Sequence, residues 1–194
     1  MSDPRIVQFD KAVKLRKEST DAFLDYWRDY TLYASLEYWI MVAILVAPLI
    51  FLVFKIDKHK LFLILFYGYT IHIIAAYIDL YAVNSGLWNY PFQVVPFLPS
   101  FSIDSSIIPV AFMLVYQWTL NHKKNYYVFS FITSIIFAFI FKPLLVGLGL
   151  FRMYGNMNYF YLLLLYVLGS IAAKLITNVF LWLQKKYTQL PEAQ

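Results

Sequence analysis

Five apolar runs, each near twenty residues long, decide what this chain can become. They cover residues 36–54, 61–81, 105–120, 126–151 and 159–183. About 20 apolar residues in an α-helix cross the roughly 30 Å of hydrocarbon in a bilayer. Lipid offers the backbone no hydrogen-bond partner, so each run must close its own hydrogen bonds as a helix. A transmembrane barrel would show short alternating segments, and none are present. The chain is 61% hydrophobic and 14% charged, whereas soluble domains average about 45–50% and about 25%. A water-soluble domain of 194 residues has too much surface to hide the excess. These features predict an all-α, polytopic transmembrane helical bundle of about five spans. Pro143 leaves the fourth span two courses. It stops at Phe141, or it kinks and continues to Phe151.

Residues 1–35 read as a separate polar segment, 36–187 as the transmembrane domain and 188–194 as a tail. The first segment holds six basic and six acidic side chains. Phe23, Trp27, Tyr30 and Ala34 fall at helical spacing, with Asp21, Asp25, Arg28 and Asp29 opposite. This predicts an amphipathic helix with Thr20 as its N-cap. The helix rests on the membrane interface or on a protein surface. The segment lacks the apolar core of a cleavable signal peptide.

The net charge of +5 does not point to nucleic acid, because no continuous basic face is visible. Seven lysines instead cluster in residues 55–60, 121–125 and the C-terminal region. Loop 82–103 has no lysine or arginine, and segment 142–158 has only Lys142 and Arg152. By the positive-inside rule, the lysine-rich ends and the C-terminus face the cytoplasm and the N-terminus lies outside. The absence of cysteine excludes disulfides, Cys-ligated zinc and thiol catalysis. No metal motif is present and no cofactor is expected.

Ionisable residues inside spans are costly and therefore informative. His72 lies mid-span, either as a proton relay or bonded structurally to one of 17 tyrosines. Asp79 and Asp104 lie at the same end of neighbouring spans and can pair across the loop. Asp104 can alternatively serve as an N-cap. Lys142 needs an anion if the fourth span continues past Pro143, and the two aspartates are the obvious partners. Trp88 and Tyr90 belong to the loop GLWNYPFQVVPFLPSF, residues 86–101, whose three prolines prevent a continuous helix. That loop forms an aromatic belt or a lid over a pocket. A second polar site pairs Lys174 with Gln117, unless Lys174 snorkels toward the cytoplasm.

Residues 66–118, FYGYTIHIIAAYIDLYAVNSGLWNYPFQVVPFLPSFSIDSSIIPVAFMLVYQW, together with the later FIFKPLLVGLGLF, resemble an uncharacterised family of small multi-pass proteins from spore-forming bacilli and clostridia. That resemblance implies a bacterial plasma or spore membrane and no mechanism. Asp79, Gly86, Trp88, Pro99 and Asp104 also resemble the membrane lycopene cyclase domain at the level of fold. The adjacent glutamate pair of that pattern is absent, because Ser105 follows Asp104.

Three functions compete. The first is a non-enzymatic assembly, sensing or accessory component, joined to itself or a membrane partner through Gly147–Gly149 and Gly169–Ser170. The second is a membrane enzyme taking a lipid or isoprenoid ligand at Asp79, Asp104 and Lys142. The third is a proton-coupled transporter using His72, Asp79 and Lys174. An enclosed pocket holding both aspartates and bounded by Trp88 favours the second. A water-lined path from His72 to Lys174 favours the third, and a packed interior with exposed small-residue faces the first.

Overall fold

The computed structural model describes residues 3–31, 33 and 35–188. Ala34, expected on the aromatic face of the first helix, and the tail beyond Thr188 lie outside the described residues.

The first helix, α1 (Pro4–Tyr30), is longer than the aromatic spacing alone predicts. Asp3 accepts from the Arg5 N–H as N-cap, and Pro4 follows at a position that needs no donor. Thr20 is therefore not a cap. It sits mid-helix and donates its hydroxyl to the Arg16 carbonyl. No α1 residue is buried, and among the described residues α1 packs closely along no other helix. Its C-terminal end is tied down. The Trp27 indole donates to the Gln93 carbonyl at 2.7 Å, and Thr31 donates to the Pro91 carbonyl at 3.3 Å.

Among the described residues, five helices are long and apolar enough to cross a membrane. The first two are α2 (Leu36–Lys55) and α3 (Leu61–Asn84). The third joins a π turn, Ile103–Ile107, to α4 (Ile108–Asn121). The fourth runs through α5 (Tyr126–Ile136), a π turn at Phe137–Phe141 and α6 (Lys142–Gly147). The fifth is α7 (Tyr159–Thr188). The fourth span thus continues past Pro143 but stops at Gly147, short of Phe151. Large apolar side chains such as Phe54, Phe62, Ile140 and Phe160 stay exposed on the outside of the bundle. A water-soluble protein could not sustain an apolar surface so extensive.

Both π turns have the same cause. Pro109 and Pro143 each follow a π turn by two residues. A proline has no N–H for the carbonyl four residues earlier and crowds it. Widening the preceding turn moves that carbonyl away. The Ile108 N–H accordingly reaches the Ile103 carbonyl, and the Lys142 N–H reaches that of Phe137. A helix advances about 100° per residue, so one extra residue per turn re-phases the faces on either side. Such widened turns concentrate at functional sites. Here one contains Asp104 and the other is followed directly by Lys142.

Helix α3 is the centre of the bundle, packed on both α4 and α7. Gly68 permits the α4 contact, since a Cβ there would lie 2.1 Å from Met113 Sδ. One end of the bundle collects the lysine-rich loops. Gln117 donates to the Lys55 carbonyl and accepts from the Asp57 N–H, and Asn121 donates to the Asp57 carboxylate. The other end collects loops 85–102 and 148–158. There β1 (Trp88–Asn89) pairs antiparallel with β2 (Arg152–Met153). Each loop opens with the same helix stop. Gly86 and Gly149 adopt φ of +66° and +72°, and their N–H groups return to Val83 and Val146. Leu87 and Leu150 reach back to Ala82 and Leu145. This is the Schellman arrangement, which favours glycine because it has no Cβ to clash.

Candidate functional site

Asp79, on the last turns of α3, is 6% exposed. Its Oδ1 accepts from the Trp88 indole N–H at 2.7 Å and from the Tyr90 hydroxyl at 3.0 Å. The Tyr90 hydroxyl in turn accepts from Lys142 Nζ at 3.0 Å. Lys142, 3% exposed, therefore reaches Asp79 through a phenol. Its ammonium also lies 3.8 Å from the centroid of the Phe151 ring, close enough for a cation–π interaction. Burial, and then the negative charge of Asp79, push the Tyr90 hydroxyl well above its ordinary range. It stays protonated and can donate to Asp79 while accepting from Lys142.

Asp104 is 4% exposed. It is no helix cap but lies inside the π turn that opens the third span. Its carbonyl accepts from His72 Nδ1 at 2.9 Å, which fixes the imidazole tautomer and locks α3 to the π turn. Asp79 Oδ2 and Asp104 Oδ2 are buried and make no hydrogen bond within the protein, nor do the hydroxyls of Ser102, Ser105 and Ser106 beside them. A buried carboxylate oxygen without a donor is costly. Two carboxylates and one ammonium also leave the cluster one positive charge short. A proton, or a cationic group on a ligand, would supply it.

Two cavities meet at this cluster. The inner one, about 50 Å³, is walled by Ile74, Ile78, Phe112, Leu162 and Tyr166. The outer one, about 1130 Å³, lies between α1, α3 and loop 86–101, with Arg16, His72, Tyr77 and Arg152 on its walls. Asp79, Trp88 and Asp104 line both. They form the partition between an apolar interior and a wide cleft beside α1 and loop 86–101. The aromatic loop divides its labour. Trp88 and Tyr90 turn inward and are buried, while Phe97 and Leu98 turn outward and are exposed.

The structure thus brings together Asp79, Asp104, Lys142, Trp88 and Tyr90, with His72 attached through the Asp104 carbonyl. It does not bring together Lys174 and Gln117. Lys174 donates to the Tyr116 hydroxyl at 3.2 Å and faces the Tyr116 and Tyr126 rings. Gln117 is occupied at the lysine-rich end. Lys174 belongs instead to a tyrosine network in which the Tyr67 and Tyr126 hydroxyls bond each other at 2.5 Å and Tyr126 donates to the Ser170 carbonyl. Of the small residues, Gly169 faces Ile74 inside the bundle, whereas Gly147 and Gly149 have open space around them.

Phe151, Tyr166 and β2 were not singled out from the sequence. One signal was available. Gly86-Leu-Trp-Asn and Gly149-Leu-Phe-Arg repeat a glycine, a leucine and an aromatic after the second and fourth spans. The repeat marks two equivalent helix stops whose strands then pair. Among the described residues, no group of three or more His, Cys, Asp or Glu could hold a metal ion. No protein-family model matches the chain, and no curated protein or solved structure shows significant similarity to it.

Proposed function

We propose that this multi-pass membrane protein takes up a lipid or isoprenoid and engages it by acid–base contact with Asp79 and Asp104. The observation that carries the reading is the shared partition. Two buried carboxylates from different spans, each with an unpartnered oxygen, face an apolar cavity on one side and a wide cleft on the other. Such a wall suits a molecule with an apolar body and one polar or unsaturated centre. Lys142 and Tyr90 hold Asp79 in place from behind. Asp104 is supplied by the third span.

If the ligand is transformed, the chemistry open to this pair is proton exchange. One carboxyl adds its proton to a double bond, and the other carboxylate removes a proton from a neighbouring carbon. No atoms or electrons are gained overall. The likeness to the lycopene cyclase domain, carried by Asp79, Gly86, Trp88, Pro99 and Asp104, points to the same class of ligand, although the adjacent glutamate pair of that pattern is absent here. The positive-inside count and the resemblance to proteins of spore-forming bacteria support a bacterial plasma membrane, with the aromatic loop outside. The reading of an accessory protein held by small residues keeps Gly147 and Gly149, which have open space around them, but loses Gly169, which faces Ile74 inside the bundle.

The test is extraction of the purified chain with organic solvent, followed by mass spectrometry. The wild type is expected to retain one amphiphile far above its share of the membrane lipids. Asp79→Asn/Asp104→Asn should lose at least about tenfold of it, since a 1.4 kcal/mol loss is already tenfold. An identical lipid complement in both, with both folded by thermal melting, overturns the reading.

A further inference from the structure

Helix α1 carries a charge asymmetry that its balanced total conceals. Residues 4–17 hold Arg5, Lys11, Lys14, Arg16 and Lys17 against Asp10 alone. Residues 18–30 hold Glu18, Asp21, Asp25 and Asp29 against Arg28 alone. At about 100° per residue, Ile6, Phe9 and Val13 share the face that carries Thr20, Leu24 and Trp27. The C-terminal part of that face is engaged, because Trp27 bonds the Gln93 carbonyl and Thr20 and Trp27 line the outer cleft. The N-terminal part is not. Ile6, Phe9 and Val13 are 55%, 65% and 51% exposed. Arg5 and Arg16 border this apolar stripe on one edge and Lys17 on the other.

We propose that residues 4–17 dock on the surface of the same bilayer the bundle spans. Ile6, Phe9 and Val13 enter the acyl boundary, and the flanking basic residues lie among anionic lipid headgroups. An apolar stripe edged by Lys and Arg is the pattern of an interfacial helix, and the excess of positive charge selects an anionic surface. The Trp27 and Thr31 contacts hold the far end of α1 on the outer loop. Docking is therefore intramolecular in effect and needs little intrinsic affinity. A second copy is the competing occupant, since antiparallel α1 helices would match charge. That pairing needs the C-terminal half of the stripe, which loop 86–101 already faces. This proposal is independent of the ligand reading.

The experiment uses the full chain in nanodiscs of phosphatidylcholine alone, or with about one-third phosphatidylglycerol. The chain has no cysteine, so Val13→Cys and the control Gln8→Cys each accept one environment-sensitive fluorophore. With phosphatidylglycerol, the Val13 probe is expected to be quenched at least about fivefold more by doxyl lipid than the Gln8 probe. Arg5→Glu/Lys17→Glu, which leaves the cleft-lining Arg16 in place, should remove the difference. Equal quenching in the two lipid compositions overturns the proposal, as does disulfide cross-linking of Val13→Cys between copies.

Discussion

Lys142 shows how a single buried charge organises its surroundings. Its ammonium is held by a phenol and an aromatic face rather than by a direct ion pair, and Asp79 completes the chain. Removing one partner of such an arrangement leaves an uncompensated charge, which typically costs about 3–5 kcal/mol. Lys142→Met and Asp79→Asn should therefore each destabilise the bundle clearly. The double variant should lose less than the sum, with a coupling of at least about 1 kcal/mol. Reversible unfolding in mixed micelles measures all three. Strict additivity would show that Tyr90 does not link the two residues. Trp88→Phe, which deletes one donor to Asp79 and leaves a smaller aromatic ring in its place, should cost at least about 1–3 kcal/mol in the same assay. The sequence revealed these residues because charge is rare inside apolar runs. Asp79, Asp104 and Lys142 were conspicuous for that reason alone. Phe151 showed only through the glycine-leucine-aromatic repeat and Tyr166 not at all, since an aromatic that faces a polar cluster is indistinguishable in sequence from one that faces lipid.

At the scale of elements, span number and type were legible because hydrocarbon demands long apolar helices. What happens inside and between them was less so. A π turn has no composition of its own. Its only trace was a proline two residues further on, which in the fourth span left kink and stop equally open. The start of α1 was missed because Thr20 and the aromatic spacing hid an Asp3-Pro4 cap further upstream. Two glycines separate the kinds of constraint at work. Gly86 has open space where a Cβ would go but a φ of +66°, so Gly86→Ala should cost only the left-handed backbone term of about 1–2 kcal/mol. Gly68 has an ordinary backbone, but its Cβ would strike Met113. Gly68→Ala should cost about 1–3 kcal/mol by overpacking, and the cost should shrink in a Met113→Ala background. For Gly86→Ala the same background should change nothing. Unfolding of the two single glycine variants, Met113→Ala and the two double variants in bicelles distinguishes them. A Gly68→Ala penalty that persists without the Met113 side chain would mean α3 and α4 are not apposed there.

For the whole molecule, the two ends of the bundle are chemically opposite. Lys60, Asp57, Gln117 and Asn121 interlock at one end. The paired strands of loops 85–102 and 148–158 close the other, to which the C-terminal end of α1 is also bonded. Five candidate spans alternate between these ends without conflict, so α2 starts at one end of the bundle and α7 finishes at the other. Which side is which rests on lysine distribution, and the absence of native cysteine makes the question direct. Asn156→Cys lies in an exposed loop at the aromatic end, and Lys124→Cys in an exposed loop at the lysine-rich end. With a membrane-impermeant maleimide, Asn156→Cys is expected to label in intact cells and Lys124→Cys only after permeabilisation. The reverse pattern would keep the bundle but invert it, and would place the carboxylate cleft on the cytoplasmic side. Equal labelling of both in intact cells would contradict the alternation itself. The cleft that holds the two aspartates would then no longer open to a single face, and the proposed entry of a lipid or isoprenoid there would lose its basis.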